Sequence, residues 1–312
     1  MRCVVTGAAG FIGSHLSQRL ARDGHQVLGV DCLTDYYDVR RKRANLQAIR
    51  NSGVETSPHD LRDADLDQVL AGADVVFHLA GQPGVRASWG DSFQNYLSLN
   101  VGVTQRLLEA ARRARLHRFV FASSSSVYGE AAAYPTSESA TPAPVSPYGV
   151  TKMAAEQLCH TYWHNWGVPV LTLRYFTVYG PRQRPDMGIH RFLDALLTGE
   201  PLTVWGDGRQ IRDFTYVADV VEATVAAGTG DAPPDSTINV AGGSSVSVND
   251  LLLLLQEITG CHATVNHVGT QAGDVTVTGG SIERAEQLLG WVPATALERG
   301  LKEQCTWQME AR

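Results

Sequence analysis

Residues 2–31 of this chain read RCVVTGAAGFIGSHLSQRLARDGHQVLGVD, and this stretch decides the fold. An apolar strand runs into a turn that contains Gly7, Gly10 and Gly13, and a helix follows with apolar residues spaced four apart. A second apolar strand then ends in Asp31. A strand, a glycine-rich turn, a helix and a second strand closed by an acid form the pattern typical of a dinucleotide-binding unit.

The glycine turn and Asp31 also predict how a dinucleotide is held. Glycines let the backbone approach the pyrophosphate, and the helix N-terminus offers N–H groups and a positive dipole. Asp31 can accept hydrogen bonds from the adenosine ribose and repels a 2′-phosphate, so we predict NAD rather than NADP. The glycine spacing is one residue longer than the common fingerprint, which leaves a plain turn as the alternative. The basic run at residues 40–43 could hold a 2′-phosphate, but it favours a solvated helix face.

Strands and helices alternate along the rest of the first half of the chain. Apolar strands are predicted at residues 54–57, 75–79, 119–122 and 168–174, with long helices near 92–115 and 147–166. This alternation predicts an α/β fold with a doubly wound parallel Rossmann sheet, in which His78 is a packed core residue.

The composition of the sequence changes at Gly180, after which Pro and Gly become frequent and the predicted strands and helices become shorter. We therefore expect a smaller C-terminal α/β substrate lobe, built from about 180–212 plus 241–312. The dinucleotide-binding Rossmann domain is assigned to residues 1–179 plus about 213–240, because residues 214–240 are predicted to return to the main sheet.

Composition narrows the possible partners. A chain of 312 residues with 44% hydrophobic and 19% charged residues can bury a full core, and its net charge of −6 argues against a nucleic-acid or anionic-membrane surface. No apolar run reaches the length of a membrane span, and the first strand begins too early for a signal peptide. The five cysteines lack metal-ligand or disulfide-framework spacing. We expect a cytoplasmic protein with no metal site.

The stretch from Ser123 to Lys152 carries the candidate chemistry. A run of serines follows an apolar strand, so its hydroxyls emerge at a carboxyl end, where open α/β sheets bind ligands. Ser146 as N-cap and Pro147 as first helical residue predict a helix on which Tyr148 and Lys152 lie one turn apart. A neighbouring ammonium favours the phenolate, and lowering a Tyr pKa from about 10 to about 7 needs roughly 4 kcal/mol. Tyr148 is thus a predicted proton acceptor, with an ordinary surface Tyr/Lys pair as the alternative.

Taken in order, these motifs resemble the extended short-chain dehydrogenase/reductase family, in its nucleotide-sugar epimerase and dehydratase branch. The resemblance covers nearly the whole chain and includes residues 174–181 (RYFTVYGP), 206–214 (GDGRQIRDF) and 289–293 (LGWVP). It departs at Cys32, where an Asn commonly follows the acid, and at residues 279–281, where Gly-Gly-Ser replaces the usual Tyr/Ala-Asp sequence.

The resemblance implies roles for the positions that match. Tyr148 matches the catalytic base, Lys152 its partner, which also holds the nicotinamide ribose, and Ser124 the catalytic Ser/Thr. The implied NAD contacts are Gly7, Gly10, Phe11, Ile12, Gly13, Asp31, Asp60, Leu61, Leu79, Ala80, Tyr148, Lys152 and Tyr175. A UDP-sugar is the implied substrate, with its diphosphate gripped by Arg212.

A homodimer is implied as well. In related family members, helices like those near 92–115 and 147–166 pair as a four-helix bundle between two subunits. The candidate apolar contacts in this chain are Leu107, Leu108 and Leu158.

The residues that follow Ser124 limit which reactions of this branch the chain can catalyse. The chemistry of this branch starts with oxidation at C4 of the sugar. A 4,6-dehydratase of the family places Asp and Glu where this chain has Ser125 and Ser126, and a decarboxylase keeps Glu at the second position. Serine hydroxyls cannot serve as carboxylate acid and base at neutral pH. We therefore predict epimerisation, in which the hydride returns to the other face of a 4-keto sugar.

The sugar is suggested by Thr177 and by residues 182–187 (RQRPDM), which resemble uronic-acid 4-epimerases, whereas hexose epimerases commonly place Asn at the first position. A substrate carboxylate wants hydroxyl donors and a guanidinium. The candidates are Ser125, Ser126, Thr177 and Arg184. We expect NAD-dependent conversion of UDP-glucuronate to UDP-galacturonate.

Several alternatives stay open at this point. The serines can form a plain polar turn, and Arg184 can pair with Asp186 instead of a substrate. Other reactions on the same fold are 4-epimerisation of UDP-glucose or UDP-N-acetylglucosamine, decarboxylation of UDP-glucuronate and sugar 4,6-dehydration. A non-catalytic NAD-binding regulator is a further alternative, because fold does not fix function.

Overall fold

The structure is a computed structural model that describes residues 1–311. Its strands are β1 (Arg2–Thr6), β2 (Gln26–Val30), β3 (Glu55–Ser57), β4 (Val75–His78), β5 (Arg118–Ser124), β6 (Val170–Tyr175), β7 (Thr177–Tyr179), β8 (Leu202–Trp205), β9 (Ile211–Tyr216), β10 (Ser236–Val240), β11 (Ser245–Ser247) and β12 (Val265–Val268). Its helices are α1 (Phe11–Arg22), α2 (Val39–Asn51), α3 (Leu66–Val69), α4 (Phe93–Tyr96), α5 (Val103–Ala114), α6 (Pro147–Trp166), α7 (Gly188–Thr198), α8 (Val217–Thr229), α9 (Val248–Thr259), α10 (Glu283–Leu289) and α11 (Leu297–Glu310). A π-helical segment, Leu97–Gly102, joins α4 to α5.

The main sheet has the order β10-β6-β5-β4-β1-β2-β3, and all of its neighbouring strands are parallel. Side chains alternate across it, so that Cys3 and Val5 join a core with α1 and α8, whereas Val4 joins a second core with α3, α5 and α6. Helices cover both faces, which is why the strands are continuously apolar. The predicted doubly wound parallel sheet is confirmed.

The chain winds outward in both directions from the centre of this sheet. It proceeds from β1 to β2 and β3 on one side, then returns to place β4 on the other side of β1. Ligands bind at such a switch point, beyond the carboxyl ends of the strands. His78, at the end of β4, is buried and hydrogen-bonds Thr6 and Thr104, so the prediction that it packs in the core is confirmed.

The second half of the chain adds two small sheets. One has the order β11-β9-β7, and the other pairs β12 with β8. β10 returns to the main sheet beside β6. β9 pairs with β7 and crosses the boundary near residue 213 that was predicted between the Rossmann domain and the smaller lobe. Arg312, the last residue of that lobe, lies outside the described residues.

Two of the predicted dimer contacts are wrong. Leu107 and Leu108 on α5 are fully buried within this chain, where they pack in the core with α3 and α6. A side chain that fills the core of one subunit cannot reach a second subunit. Leu158, on α6, is partly buried against the same core.

Within residues 1–311, no helix combines the length and the apolar character that crossing a membrane requires.

Candidate active site

A cavity, here called the main cavity, opens at the carboxyl ends of the central strands. Every residue predicted to contact the dinucleotide lines it: Gly7, Gly10, Phe11, Ile12, Gly13, Asp31, Asp60, Leu61, Leu79, Ala80, Tyr148, Lys152 and Tyr175. Arg184 lines it too. The remaining predicted site residues lie outside this lining; they are Ser124, Ser125, Ser126, Thr177 and Arg212.

The glycine turn forms a tight wall of the cavity. Gly7 has a φ of +72°, and a Cβ on it would lie 2.9 Å from the backbone N of Ala80. A Cβ on Gly13 would clash with the carbonyl oxygen of Gly7. Both positions therefore need glycine, and the turn presents bare backbone to the cavity at the start of α1.

Two carboxylates line the cavity beside this turn. Asp31 accepts hydrogen bonds from the backbone N–H groups of Ala9 at 3.0 Å and Leu33 at 2.8 Å, so its orientation is fixed. Asp60 pairs with Arg62 at 2.6 Å, and this pairing lowers the pKa of the Asp60 carboxyl. Each carboxylate oxygen has two lone pairs and keeps capacity for further donors.

The prediction that residues 40–43 form a solvated helix face is wrong for Lys42. This side chain is 6% exposed, lines the main cavity and donates a hydrogen bond to Thr34 at 2.8 Å. Burial lowers the pKa of Lys42, and the nearby carboxylate of Asp31 raises it. The signal was present in the sequence, because Lys42 lies four and seven residues before the buried Leu46 and Ile49 on one face of α2.

The start of α6 positions the candidate catalytic pair. Ser146 caps the helix by accepting a hydrogen bond from the N–H of Gly149 at 3.1 Å, and Pro147 begins it, as predicted. Lys152 donates to the carbonyl oxygen of Ala122 at 2.9 Å, which ties α6 to β5. Burial lowers the pKa of Lys152 to about 8, so its ammonium is mostly charged at neutral pH.

The predicted lowering of the Tyr148 pKa by Lys152 is wrong for this structure. Burial raises the pKa of Tyr148, while a hydrogen bond with Ser124 and the charge of Arg184 act in the opposite direction. The physical reason is that the phenol is withdrawn from water, which disfavours the phenolate, and the lysine points at a backbone carbonyl.

The serine run is partly strand and partly turn. Ser123 and Ser124 belong to β5 rather than following it, and Ser125–Val127 forms a 3₁₀ turn. The hydroxyl of Ser124 accepts from the N–H of Ser126 and donates to its hydroxyl, both at 3.1 Å. The polar-turn alternative therefore describes the local geometry of Ser125 and Ser126, whereas Ser124, at the end of β5, lies beside the phenol of Tyr148.

Arg184 pairs with Asp186, as the alternative proposed. Its Nε and Nη2 lie 3.0 Å from the two carboxylate oxygens. The guanidinium nevertheless lines the main cavity and interacts electrostatically with Tyr148 and Tyr36. A cation thus stands within reach of the candidate proton acceptor.

Arg212 lies in a separate basic cluster that the sequence motifs did not reveal. Its guanidinium donates to the carbonyl oxygens of Val275 at 2.7 Å and Ile211 at 2.8 Å. Burial lowers the pKa of both Arg212 and Arg191, and the positive charge of Arg86 lowers both further, so the Arg86 guanidinium lies near each of them. Two of these guanidiniums lie over the ring of Trp205. The distance from the guanidinium carbon to the ring centroid is 3.9 Å for Arg86 and 4.3 Å for Arg191. These residues come from separate elements, so no local spacing signals them.

Comparison with known proteins places the chain in a family. The family model described as the NAD dependent epimerase/dehydratase family matches residues 3–241. The chain belongs to the NAD dependent epimerase/dehydratase family.

Individual family members cover its full length. It is 36% identical over 314 residues to a UDP-glucuronate 4-epimerase of Thermodesulfobacterium geofontis, covering 98% of this chain and 96% of the relative. It is 45% identical over 303 residues to the uncharacterized UDP-glucose epimerase YtcB of Bacillus subtilis, with 96% of each chain covered. The crystal structure of a Bacillus cereus UDP-glucuronic acid 4-epimerase with UDP-glucuronic acid and NAD superposes with a TM-score of 0.97 at 43% identity, over 100% of both chains.

The main cavity fits the cofactor that gives this epimerase/dehydratase family its name. Gly7 and Gly13 leave no room for side chains where a pyrophosphate would approach, and Asp31 offers a fixed acceptor for ribose hydroxyls. Tyr175 forms part of the wall while its hydroxyl is engaged with Thr224 at 2.8 Å. The residues present are therefore suited to hold NAD.

Proposed function

We propose that this protein is an isomerase that converts UDP-glucuronate to UDP-galacturonate with bound NAD. One observation carries the choice of a uronic acid: the guanidinium of Arg184 lines the same cavity as Tyr148 and Lys152. A neutral sugar offers no negative charge to a cation at that position, whereas a uronate carboxylate does. The name of the Thermodesulfobacterium geofontis relative and the ligand in the Bacillus cereus structure support the same substrate.

The residues of this chain then have distinct roles. NAD, when bound, supplies the acceptor and donor of the hydride at C4 of the sugar. Tyr148 removes the proton of the 4-hydroxyl and later returns it, with Ser124 hydrogen-bonded to its phenol. Tyr148 must be a phenolate to accept that proton, and the hydrogen bond with Ser124 and the charge of Arg184 favour the phenolate against the opposing effect of burial on its pKa. In the proposal, Lys152 holds the nicotinamide ribose.

The positions after Ser124 favour epimerisation over elimination. Ser125 and Ser126 carry no carboxylate, so they cannot act as the acid and base of a dehydratase. In the proposal they hydrogen-bond the substrate carboxylate together with Thr177, which begins β7, and Arg184. The 4-keto sugar turns over in the cavity before the hydride returns.

The basic cluster is the proposed diphosphate site. Arg212 was predicted for this role. Arg86, whose charge acts on Arg212, and Arg191 both lie over the ring of Trp205, and we assign them to the same site. Guanidiniums bind phosphate oxygens through paired N–H groups. This assignment leaves Trp205 as an aromatic surface beside the nucleotide.

Product analysis tests the proposal. The purified protein is incubated separately with UDP-glucuronate, UDP-glucose and UDP-N-acetylglucosamine, and the sugars are identified after release. We expect UDP-galacturonate from the first substrate, at a rate well above that for the neutral sugars. Faster turnover of UDP-glucose would overturn the proposal in favour of a neutral-sugar epimerase, the activity in the name of the Bacillus subtilis relative.

The proposal extends to a cytoplasmic homodimer. The π-helical segment and α6 expose apolar side chains, including Leu97 and Val150, each 42% exposed, and such groups suit an interface between subunits. Light scattering at working concentration is expected to give the mass of a dimer, and Leu97→Asp to give a monomer. Leu253→Asp, at an exposed leucine on α9, is the matched control and keeps the dimer. A monomeric wild-type protein contradicts the proposal.

A further inference from the structure

The Arg184 guanidinium uses one of its two hydrogen-bonding edges within the protein. Its Nε and Nη2 donate to Oδ1 and Oδ2 of Asp186, each at 3.0 Å. Among residues 1–311, Nη1 donates to no protein atom, and the side chain lines the main cavity. Arginine carries five N–H donors in a planar fork, so the Nη1–Nη2 edge can still receive a second carboxylate.

Asp186 is itself held in place. The hydroxyl of Tyr36 donates to Asp186 at 3.4 Å, and it packs against Gly84 so closely that a Cβ there would lie 2.5 Å from it. The turn that carries both partners is closed by the N–H of Met187, which donates to the carbonyl oxygen of Arg184 at 3.1 Å. The carboxylate therefore offers a fixed anchor for the guanidinium.

We propose that Asp186 is a positioning residue, which grips the inner edge of Arg184 so that its outer edge is ready to receive the carboxylate of a uronic acid. The inference rests on the proposed function, because it names how the same site recognises its substrate class. A long arginine side chain loses rotamer freedom when it binds a ligand. An anchor that orders it beforehand removes that cost from the binding step.

Charge alone predicts the opposite effect of Asp186. Its carboxylate repels an anionic substrate, and it occupies donors that a substrate could use. If Asp186 is only a competitor for Arg184, its removal strengthens the binding of UDP-glucuronate. If it positions Arg184, its removal weakens that binding. The sign of the change therefore separates the two explanations.

The experiment compares binding of UDP-glucuronate and of UDP to the NAD-loaded protein by calorimetry. Asp186→Asn keeps the shape of the side chain but loses its charge and one acceptor oxygen. We expect its Kd for UDP-glucuronate to rise by roughly tenfold or more, and its Kd for UDP to stay within about twofold of wild type. Tyr36→Phe, which removes the donor to Asp186, is expected to shift the same Kd in the same direction by less.

A surface pair provides the matched control. Asp67 pairs with Arg113 at 2.7 Å, and both side chains are more than half exposed, so Asp67→Asn removes a carboxylate from an arginine away from the cavity. Both Kd values are expected to match wild type in this variant.

Each outcome bears on one of the two proposals. If Asp186→Asn binds UDP-glucuronate as tightly as wild type or more tightly, the positioning role is overturned. If the variant binds UDP and UDP-glucuronate equally more weakly, the positioning role is also overturned, because the substitution has then damaged the whole site. A wild-type protein that fails to epimerise UDP-glucuronate overturns the proposed function instead. Wild-type epimerisation combined with an unaffected Asp186→Asn variant overturns this inference alone.

Discussion

Glu156 and Arg174 form a buried bidentate ion pair, with the Nε–Oε1 and Nη2–Oε2 distances at 3.0 and 2.7 Å. Glu156 lies one turn after Lys152 on α6 and also accepts a hydrogen bond from Ser123, whose side chain borders the main cavity. Arg174, on β6, donates further to the hydroxyl of Tyr128 at 2.8 Å. The pair therefore ties α6 to β5 and β6 directly behind the candidate catalytic residues.

Removal of Arg174 is expected to destabilise the protein strongly. Arg174→Met keeps much of the volume but leaves the Glu156 carboxylate buried without its cation, which typically costs about 3–5 kcal/mol. Chemical denaturation monitored by circular dichroism measures the loss. Arg113→Met is the control, because its pairing with Asp67 is exposed and pairs of that kind contribute about 0–1 kcal/mol. Similar losses in the two variants would contradict the structural importance of the buried pair.

Replacement of Tyr148 is expected to stop catalysis and to spare binding. Tyr148→Phe removes one hydroxyl that acts in proton transfer, a contribution typically worth about 10²–10⁴-fold in rate. Turnover of UDP-glucuronate and calorimetric binding of UDP-glucuronate to the same preparation are measured together. Tyr134→Phe, at an exposed tyrosine, serves as control and keeps wild-type turnover. Activity of Tyr148→Phe within a few-fold of wild type would remove Tyr148 from the mechanism.

The bound dinucleotide is expected to be NAD and to remain with the protein through purification. The cofactor is regenerated in each cycle and has no need to leave, and Asp31 disfavours a 2′-phosphate at the adenosine ribose. Mass spectrometry of the small molecules released by heat identifies the species. If NADP is the main dinucleotide released, then the attraction of the buried Lys42 for a 2′-phosphate outweighs the repulsion by Asp31. If the protein releases no dinucleotide, only the prediction of tight binding is refuted.

The sequence predicted the features that depend on neighbouring residues along the chain. The strand before Gly7 is continuously apolar, and Ser146 and Pro147 begin α6 with capping chemistry that needs no tertiary information. Alternation of strands and helices then determines a parallel sheet, and the sheet determines which edge carries Tyr148. These steps depend on local patterns and on handedness rules that hold across folds.

Features that depend on desolvation and long-range contacts were not predictable in the same way. The pKa of Tyr148 rises because the folded chain excludes water from its phenol, which no spacing in the sequence reveals. Arg86, Arg191 and Trp205 meet across separate elements. Leu107 carries an apolar side chain suited equally to a core or to an interface, and only the packed structure shows that it fills the core.

The last prediction concerns the grip on the substrate carboxylate. Oxidation at C4 of a uronic acid gives a 4-keto sugar with a carboxylate on C5, which is a β-keto acid. Such an acid loses CO₂ readily when the breaking bond lies parallel to the π system of the ketone. An epimerase must therefore hold the carboxylate away from that alignment while the ring turns, and the paired N–H groups of a guanidinium are suited to do so.

Arg184→Ala and Arg184→His are expected to slow epimerisation and to release some UDP-pentose, because the carboxylate loses its bidentate donor. UDP-pentose and UDP-galacturonate are quantified together after incubation of each variant with UDP-glucuronate. Arg184→Lys is the matched control for charge: it keeps a cation but offers no planar fork, so it is expected to release pentose as well. If Arg184→Lys behaves like wild type while Arg184→Ala does not, then charge rather than geometry protects the intermediate. If Arg184→Ala epimerises at the wild-type rate without pentose, Arg184 does not hold the carboxylate, and the hydroxyls of Ser125, Ser126 and Thr177 must suffice.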